Sequence, residues 1–135
     1  MARIIIFFIL CFSPFSYAQQ PTSNFYKVKL GKVIDGDTFK VYLACNYKIF
    51  CKAVSVRVRG IDTPELKSKD PEEKSKAYRA RAYTRKFLNS GKIRLKQCTR
   101  DKYFRLLCDV YVNEYSLAES LLNADLAIPY NGGSK

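Results

Sequence analysis

Val54-Ser55-Val56-Arg57-Val58-Arg59-Gly60-Ile61-Asp62-Thr63-Pro64-Glu65 is the stretch from which the rest of the chain can be read. Val54, Val56 and Val58 recur at every second residue, the period of a strand with one face in a core. Ser55, Arg57 and Arg59 fall on the opposite face, so Arg57 points off the core side. Gly60 and Pro64 then end the strand in a loop. A strand running into a Pro-terminated loop explains those two residues, but not the two guanidiniums and two carboxylates packed between Arg57 and Glu65.

Upstream, Phe25 to Val33 and Thr38 to Leu43 are rich in β-branched and aromatic residues, and Asp35-Gly36 between them is a turn signal. Phe39, Val41 and Leu43 alternate with polar neighbours. Downstream, Asp70-Pro71-Glu72-Glu73 reads as a helix start: Asp70 as N-cap, Pro71 at the first helical position and Glu73 closing a capping box. Gly91 is the expected stop. Ala77, Ala80, Thr84, Phe87 and Leu88 form the stripe that such a helix would bury. Two more strands follow, Ile93 to Cys98 and Arg105 to Val112, joined by a loop over residues 99–104. Ser116 and Glu119 form a second capping box opening a short helix, with Leu117, Leu121 and Ala124 on one face. The pattern is mainly β, with two or so packed helices, and a five-stranded barrel is its economical solution.

The 135 residues suffice for one domain with a real core. The chain holds 24 Lys and Arg against 12 Asp and Glu, a net +12, which points to a polyanionic partner or an anionic surface. The segment from Lys67 to Arg105 alone has 14 basic and 4 acidic residues, so the positive potential is lopsided. With no histidine in the chain, His triads, imidazole metal sites and His general bases are excluded.

At the N-terminus Arg3, the apolar run Ile4 to Phe12 and Ser16-Tyr17-Ala18 read as a signal peptide over residues 1–18, cleaved after Ala18. The run is well short of the ~20 residues of a bilayer span, so stable membrane insertion is not expected. Residues 19–24 are read as a flexible lead-in, 25–131 as the folded domain and 132–135 as a tail. Cys45, Cys51, Cys98 and Cys108 form an even set in an exported chain, which favours disulfides. Neighbours in sequence, Cys45 with Cys51 and Cys98 with Cys108, are the expected pairs among three possible arrangements. A four-cysteine zinc site is the rival, and its ligand spacing does not suit.

Three clusters carry chemistry: Asp35-Gly36-Asp37-Thr38, the stretch from Arg57 to Glu65, and Asp101-Lys102-Tyr103-Phe104-Arg105. Asp37 and Asp62, with a backbone carbonyl and waters, suit a hard cation such as calcium. Glu65 is then a carboxylate able to take a proton from water. Arg57 and Arg105 supply planar guanidiniums to neutralise charge on phosphoryl oxygens.

These residues resemble the thermonuclease, or staphylococcal nuclease-like, family of secreted, calcium-dependent nucleases. Ile34-Asp35-Gly36-Asp37-Thr38, Gly60-Ile61-Asp62-Thr63-Pro64-Glu65 and Asp101-Lys102-Tyr103 with Arg105 stand in the family's order, and the likeness covers about residues 25 to 130. The resemblance implies an OB-fold barrel and a set of roles. Asp37, Asp62 and the main-chain carbonyl of Thr63 would hold Ca2+. Glu65 would be the base, and Arg57 and Arg105 the phosphate clamps. Tyr103 and Tyr130 would line the nucleotide pocket. It also implies hydrolysis of DNA and RNA, single-stranded or frayed, leaving 3'-phosphates, by a monomer. Phe104 stands where the family usually has glycine, and longer members continue into a further helix past Tyr130-Asn131-Gly132-Gly133. Two other function classes fit the charge: a non-catalytic OB-fold module gripping single-stranded nucleic acid, and a cationic binder of lipid or polysaccharide.

Overall fold

The structure, a computed structural model, describes residues 21–44 and 52–132. The expected signal peptide, Cys45, Cys51 and the tail beyond Gly132 lie outside the described residues. The elements run β1 (Ser23–Phe25), β2 (Val28–Val33), β3 (Thr38–Leu43), β4 (Val54–Val58), β5 (Ile61–Asp62), α1 (Pro71–Leu88), β6 (Ile93–Arg100), β7 (Leu106–Val112), β8 (Tyr115–Ser116), α2 (Leu117–Asn123) and β9 (Ile128–Pro129).

The five long strands lie in the order β6-β7-β4-β3-β2, antiparallel except for the β4–β7 pair. β1 continues this sheet beyond β6, with Phe25 opposite Leu95. Since only Tyr26 and Lys27 separate β1 from β2, the chain itself joins the two ends of the ladder, and the sheet must curl into a half-barrel. That curl is the OB-like form expected from the sequence. One difference is local: the run from Phe25 to Val33, read as a single strand, breaks at Tyr26 because its two parts serve opposite ends of the sheet. A second follows from it. Ser23 and Asn24 belong to β1 rather than to a flexible lead-in, and Asn24 Oδ1 accepts the backbone N–H of Gln97 at 2.7 Å.

The core is what the alternation predicts. Phe39, Val41, Val56, Val58, Leu95 and Val110 are buried on the concave side, and α2 adds Leu117 and Leu121. On α1 the buried residues are Ala77, Ala80, Thr84 and Leu88, which is the predicted stripe with Phe87 half-buried beside it. Asp70 caps α1 by accepting the N–H of Glu72 at 3.0 Å, an interaction typically worth about 1 kcal/mol. The capping box is not closed by Glu73, however. Ser68 lies between, accepting from Asp70 N and donating to Glu73 Oε2. The helix ends at Leu88 with Asn89 as C-cap. Gly91, whose φ is not left-handed, lies against the Asn113 side chain, which would have to turn aside to admit a Cβ. Among the described residues no helix is long and apolar enough to cross a membrane.

Cys98 and Cys108 are joined by a disulfide. It links β6 to β7 where their register shifts between Lys96 and Thr99, next to the turn that begins at Asp101.

Candidate active site

β4 is buried on both faces, and this sets the site. Its apolar side meets the core, while its other side carries Arg57 against the side chains of Asp37 and Asp62; within the sheet, Val58 N donates to Asp37 O at 2.9 Å and fixes Asp37 beside the strand. Arg57, pointing off the core as its place in the alternation requires, is therefore enclosed rather than solvated, at 9% exposure. Its guanidinium meets carboxylates instead of water. Nη1 is 3.0 Å from Asp37 Oδ2, and Nη2 is 3.0 Å from Asp62 Oδ1.

Asp37 is held from several directions. Its Oδ2 accepts the backbone N–H of Thr63 at 2.8 Å and the Thr63 hydroxyl at 2.9 Å, and its Oδ1 accepts the Thr38 hydroxyl at 3.0 Å. Burial pushes the Asp37 carboxyl up to about 6, against the pull of Arg57, with the neighbouring Asp35 charge adding to the rise and the Thr63 hydrogen bonds opposing it. The turn beneath it is locked by α1, because the Thr84 hydroxyl, fully buried in the helix stripe, donates to Gly36 O at 2.6 Å. Gly36 is obligatory here on steric grounds: a Cβ would lie 2.7 Å from Thr63 Cγ2 and 2.8 Å from Ala80 Cβ.

A second small sheet positions the far wall. β5 pairs with β9, Asp62 opposite Ile128, and Tyr130 N donates to Gly60 O at 2.9 Å, which brings Tyr130 beside the Asp62 loop. Two-residue strands this far apart in sequence leave no periodic trace.

The remaining wall is the turn between β6 and β7. Asp101 organises it: Oδ1 accepts Tyr103 N at 2.8 Å and Arg105 N at 2.9 Å, Oδ2 accepts Arg105 Nε at 2.8 Å, and its carbonyl accepts Phe104 N at 3.1 Å. Partial burial alone would raise the Asp101 carboxyl, but the bonds from Arg105 and Tyr103 outweigh it and hold the group below its usual value. Asp101 has no role assigned from sequence alone, although a carboxylate two residues before Tyr103 and four before Arg105 has the spacing of an Asx-type turn. Arg59, the strand's other outward arginine, turns away from Asp37 and Asp62 to bind Asp109, Gln97 O and Leu107 O, which separates its work from that of Arg57.

All eight residues singled out from the sequence, Asp37, Arg57, Asp62, Thr63, Glu65, Tyr103, Arg105 and Tyr130, line one depression of about 520 Å³. Its charged lining is four carboxylates, Asp35, Asp37, Asp62 and Glu65, against three cations, Arg57, Lys67 and Arg105, a local excess of negative charge in a chain of net +12. An adjoining depression of about 550 Å³ has the opposite balance, with Arg57, Arg59, Lys102 and Arg105 against Asp101. Arg57, Tyr103, Arg105 and Tyr130 face both. Tyr103 is flanked by cations, Lys102 Nζ at 5.1 Å and Arg105 Cζ at 5.3 Å from its ring centre.

A family model described as staphylococcal nuclease homologue matches residues 55–134, more than half of the chain. This chain belongs to the staphylococcal nuclease family. The match takes in β4 from its second residue, α1 and every site residue except Asp37, which the hydrogen bonds to Thr63 and Val58 attach to the matched part. Among curated proteins, SPbeta prophage-derived endonuclease YokF of Bacillus subtilis (strain 168) is 39% identical over 103 residues, 74% of this chain and 33% of the relative. Endonuclease YncB of the same organism is 37% identical over 118 residues, 85% of this chain and 52% of the relative. The chain thus spans about a third and about half of these two longer proteins.

Whether the cluster suits a metal turns on its donors. Among the described residues no three carboxylate or thiol side chains gather into a metal-binding group. The Asp37–Asp62 pair offers oxygen only and carries two negative charges against the single guanidinium held between them. Such a set suits a hard cation that takes its other ligands from backbone, water and substrate, and not a soft one.

Proposed function

We propose that this chain is an exported, calcium-dependent nuclease that hydrolyses phosphodiester bonds in DNA and RNA with water as the nucleophile. The observation that carries the reading is the pair of adjoining depressions of opposite charge with Arg57, Arg105, Tyr103 and Tyr130 as their common wall. A cation and a polyanion can then be held side by side. The names of YokF and YncB, both endonucleases, support the same activity.

In this reading Asp37, Asp62 and the Thr63 carbonyl hold calcium, which when bound supplies Lewis-acid neutralisation of the phosphoryl oxygens. Glu65, exposed at the rim of the acidic depression, accepts a proton from the attacking water. Arg57 and Arg105 stabilise the charge that grows on the phosphoryl group, each positioned in advance by carboxylates, Arg57 by Asp37 and Asp62 and Arg105 by Asp101. The water oxygen bonds to phosphorus as the bond to the 5' oxygen breaks. One product carries a 3'-phosphate, and the departing 5' oxygen takes up a proton from solvent. Tyr103 and Tyr130 hold the nucleotide in the basic depression. Single strands are favoured because an unstacked base can reach these rings.

Residues 1–18 act as the export signal in this account, and the Cys98–Cys108 bond supports an oxidising destination, periplasmic or extracellular. A non-catalytic single-strand binder is the competing reading. It leaves the acidic depression without a purpose, since carboxylates repel a polyanion. The purified chain is expected to nick plasmid DNA with calcium and to stop when a chelator is added. Retention of DNA without nicking, at any calcium concentration, favours the binder.

A further inference from the structure

The Asp101–Arg105 turn carries one residue that neither the core nor either depression uses. Phe104 is 77% exposed, more than any other exposed large apolar residue described, and it lines neither cavity. Its backbone is left-handed, φ 61°, a conformation that disfavours a bulky side chain and suits glycine or asparagine. Glycine or asparagine would therefore serve the turn better, and a polar residue would serve the surface better. Fold stability accounts for neither feature of Phe104.

The surroundings supply a different reason. Asp101 holds the turn on both sides of Phe104, and with it the backbone that presents the ring outward. Arg100 Cζ lies 6.0 Å from its ring centre, a cation against one aromatic. Tyr103, the next residue back, has Lys102 and Arg105 about its own ring and faces both depressions. Two neighbouring aromatics, each attended by cations, and one of them outside the cavities, make a stepped platform. Nucleobases stack on exposed aromatic faces while adjacent cations hold the phosphates between them.

We propose that Phe104, with Arg100, is a nucleobase-stacking subsite for the base next to the one held at Tyr103, so that this chain grips a single strand beyond its scissile nucleotide. The inference rests on the nuclease reading above. It is tested in the E65Q background, so that the strand survives, with calcium present, by anisotropy titration of a labelled oligothymidylate of about eight nucleotides and of a labelled thymidine mononucleotide, which fills the Tyr103 position alone. F104N keeps the left-handed turn and removes the ring; F104Y keeps the ring. F104N is expected to weaken the longer strand about ten-fold, within the range for loss of one stacked base, and to leave the mononucleotide unchanged, while F104Y binds both as the parent does. Equal binding of the longer strand by F104N and its parent overturns the proposal. So does parallel loss for both probes, or a loss in F104Y matching that in F104N, since either marks a turn disturbed rather than a base unstacked. If the parent binds neither probe, it is the nuclease reading that fails.

Discussion

Arg57 Nη1 stands 3.0 Å from Asp37 Oδ2, with both side chains almost wholly withdrawn from solvent. A strand arginine and a turn carboxylate twenty residues earlier are thus one unit, and each is conditional on the other. Removing the guanidinium leaves a buried carboxylate without its countercharge. R57A is expected to lose about 3 kcal/mol of stability in urea denaturation, the usual result of breaking a buried pair, as well as nuclease activity. R57K restores the charge but not the fork that reaches Asp37 and Asp62 together, so it should regain stability more fully than rate.

The Asp37 carboxyl titrates at about 6 in the fold against 3.8 outside it. For an acid raised by burial the protonated form is the one the fold prefers. The contribution of Asp37 to stability is therefore greatest below the unfolded value and is lost as pH rises through about 6. D37N has no charge to bury, so the stability difference between D37N and the parent should move in the variant's favour as pH rises from about 4 to about 7 in thermal melts, whatever its value at low pH. A cation that needs the ionised carboxylate must displace the same proton. Calcium affinity of the parent, followed by calorimetry, should accordingly fall by up to about ten-fold per pH unit below about 6.

Much of this was legible in the sequence, and the reasons for the exceptions are specific. The alternation of Val54, Val56 and Val58 placed both the core and Arg57, because the period of a strand is a local property. Asp70 and Pro71 placed the start of α1 for the same kind of reason. Partners distant in sequence defeated local reading. Ser23–Phe25 is a strand only because β6 lies beside it, and β5 and β9 are each two residues long and define each other. Glu73 had a competitor, Ser68, that no capping pattern includes. Residue types named the site's acids and arginines, but not the two opposed depressions, which exist only once Tyr130 and the Asp101 turn are folded against β4.

Gly36 is small because Thr63 and Ala80 leave no room for a Cβ. G36A is expected to cost about 1–3 kcal/mol, the range for overpacking, and to displace the Asp37 turn from Thr63. Calcium affinity should fall with it. An alanine variant with unchanged melting and unchanged calcium binding would show that the turn has slack.

The Cys98–Cys108 bond closes a short loop containing the Asp101 turn. With a sequence separation of 10, replacing both cysteines by serine should remove about 2.5 kcal/mol of stability on the chain-entropy estimate. Urea midpoints with and without the bond measure this. The same midpoint in both would mean that β6 and β7 hold the turn unaided.

Glu65 is the residue on which the proposed mechanism is most exposed, because there it takes the proton of the attacking water, and it lies at the rim of the acidic depression. The decisive measurement is the single-turnover cleavage rate of E65Q on a single-stranded DNA, together with its affinity for that DNA, with calcium saturating. The account predicts near-parental affinity and a rate lowered at least about 100-fold, the scale of a lost general base. A near-parental rate would contradict it.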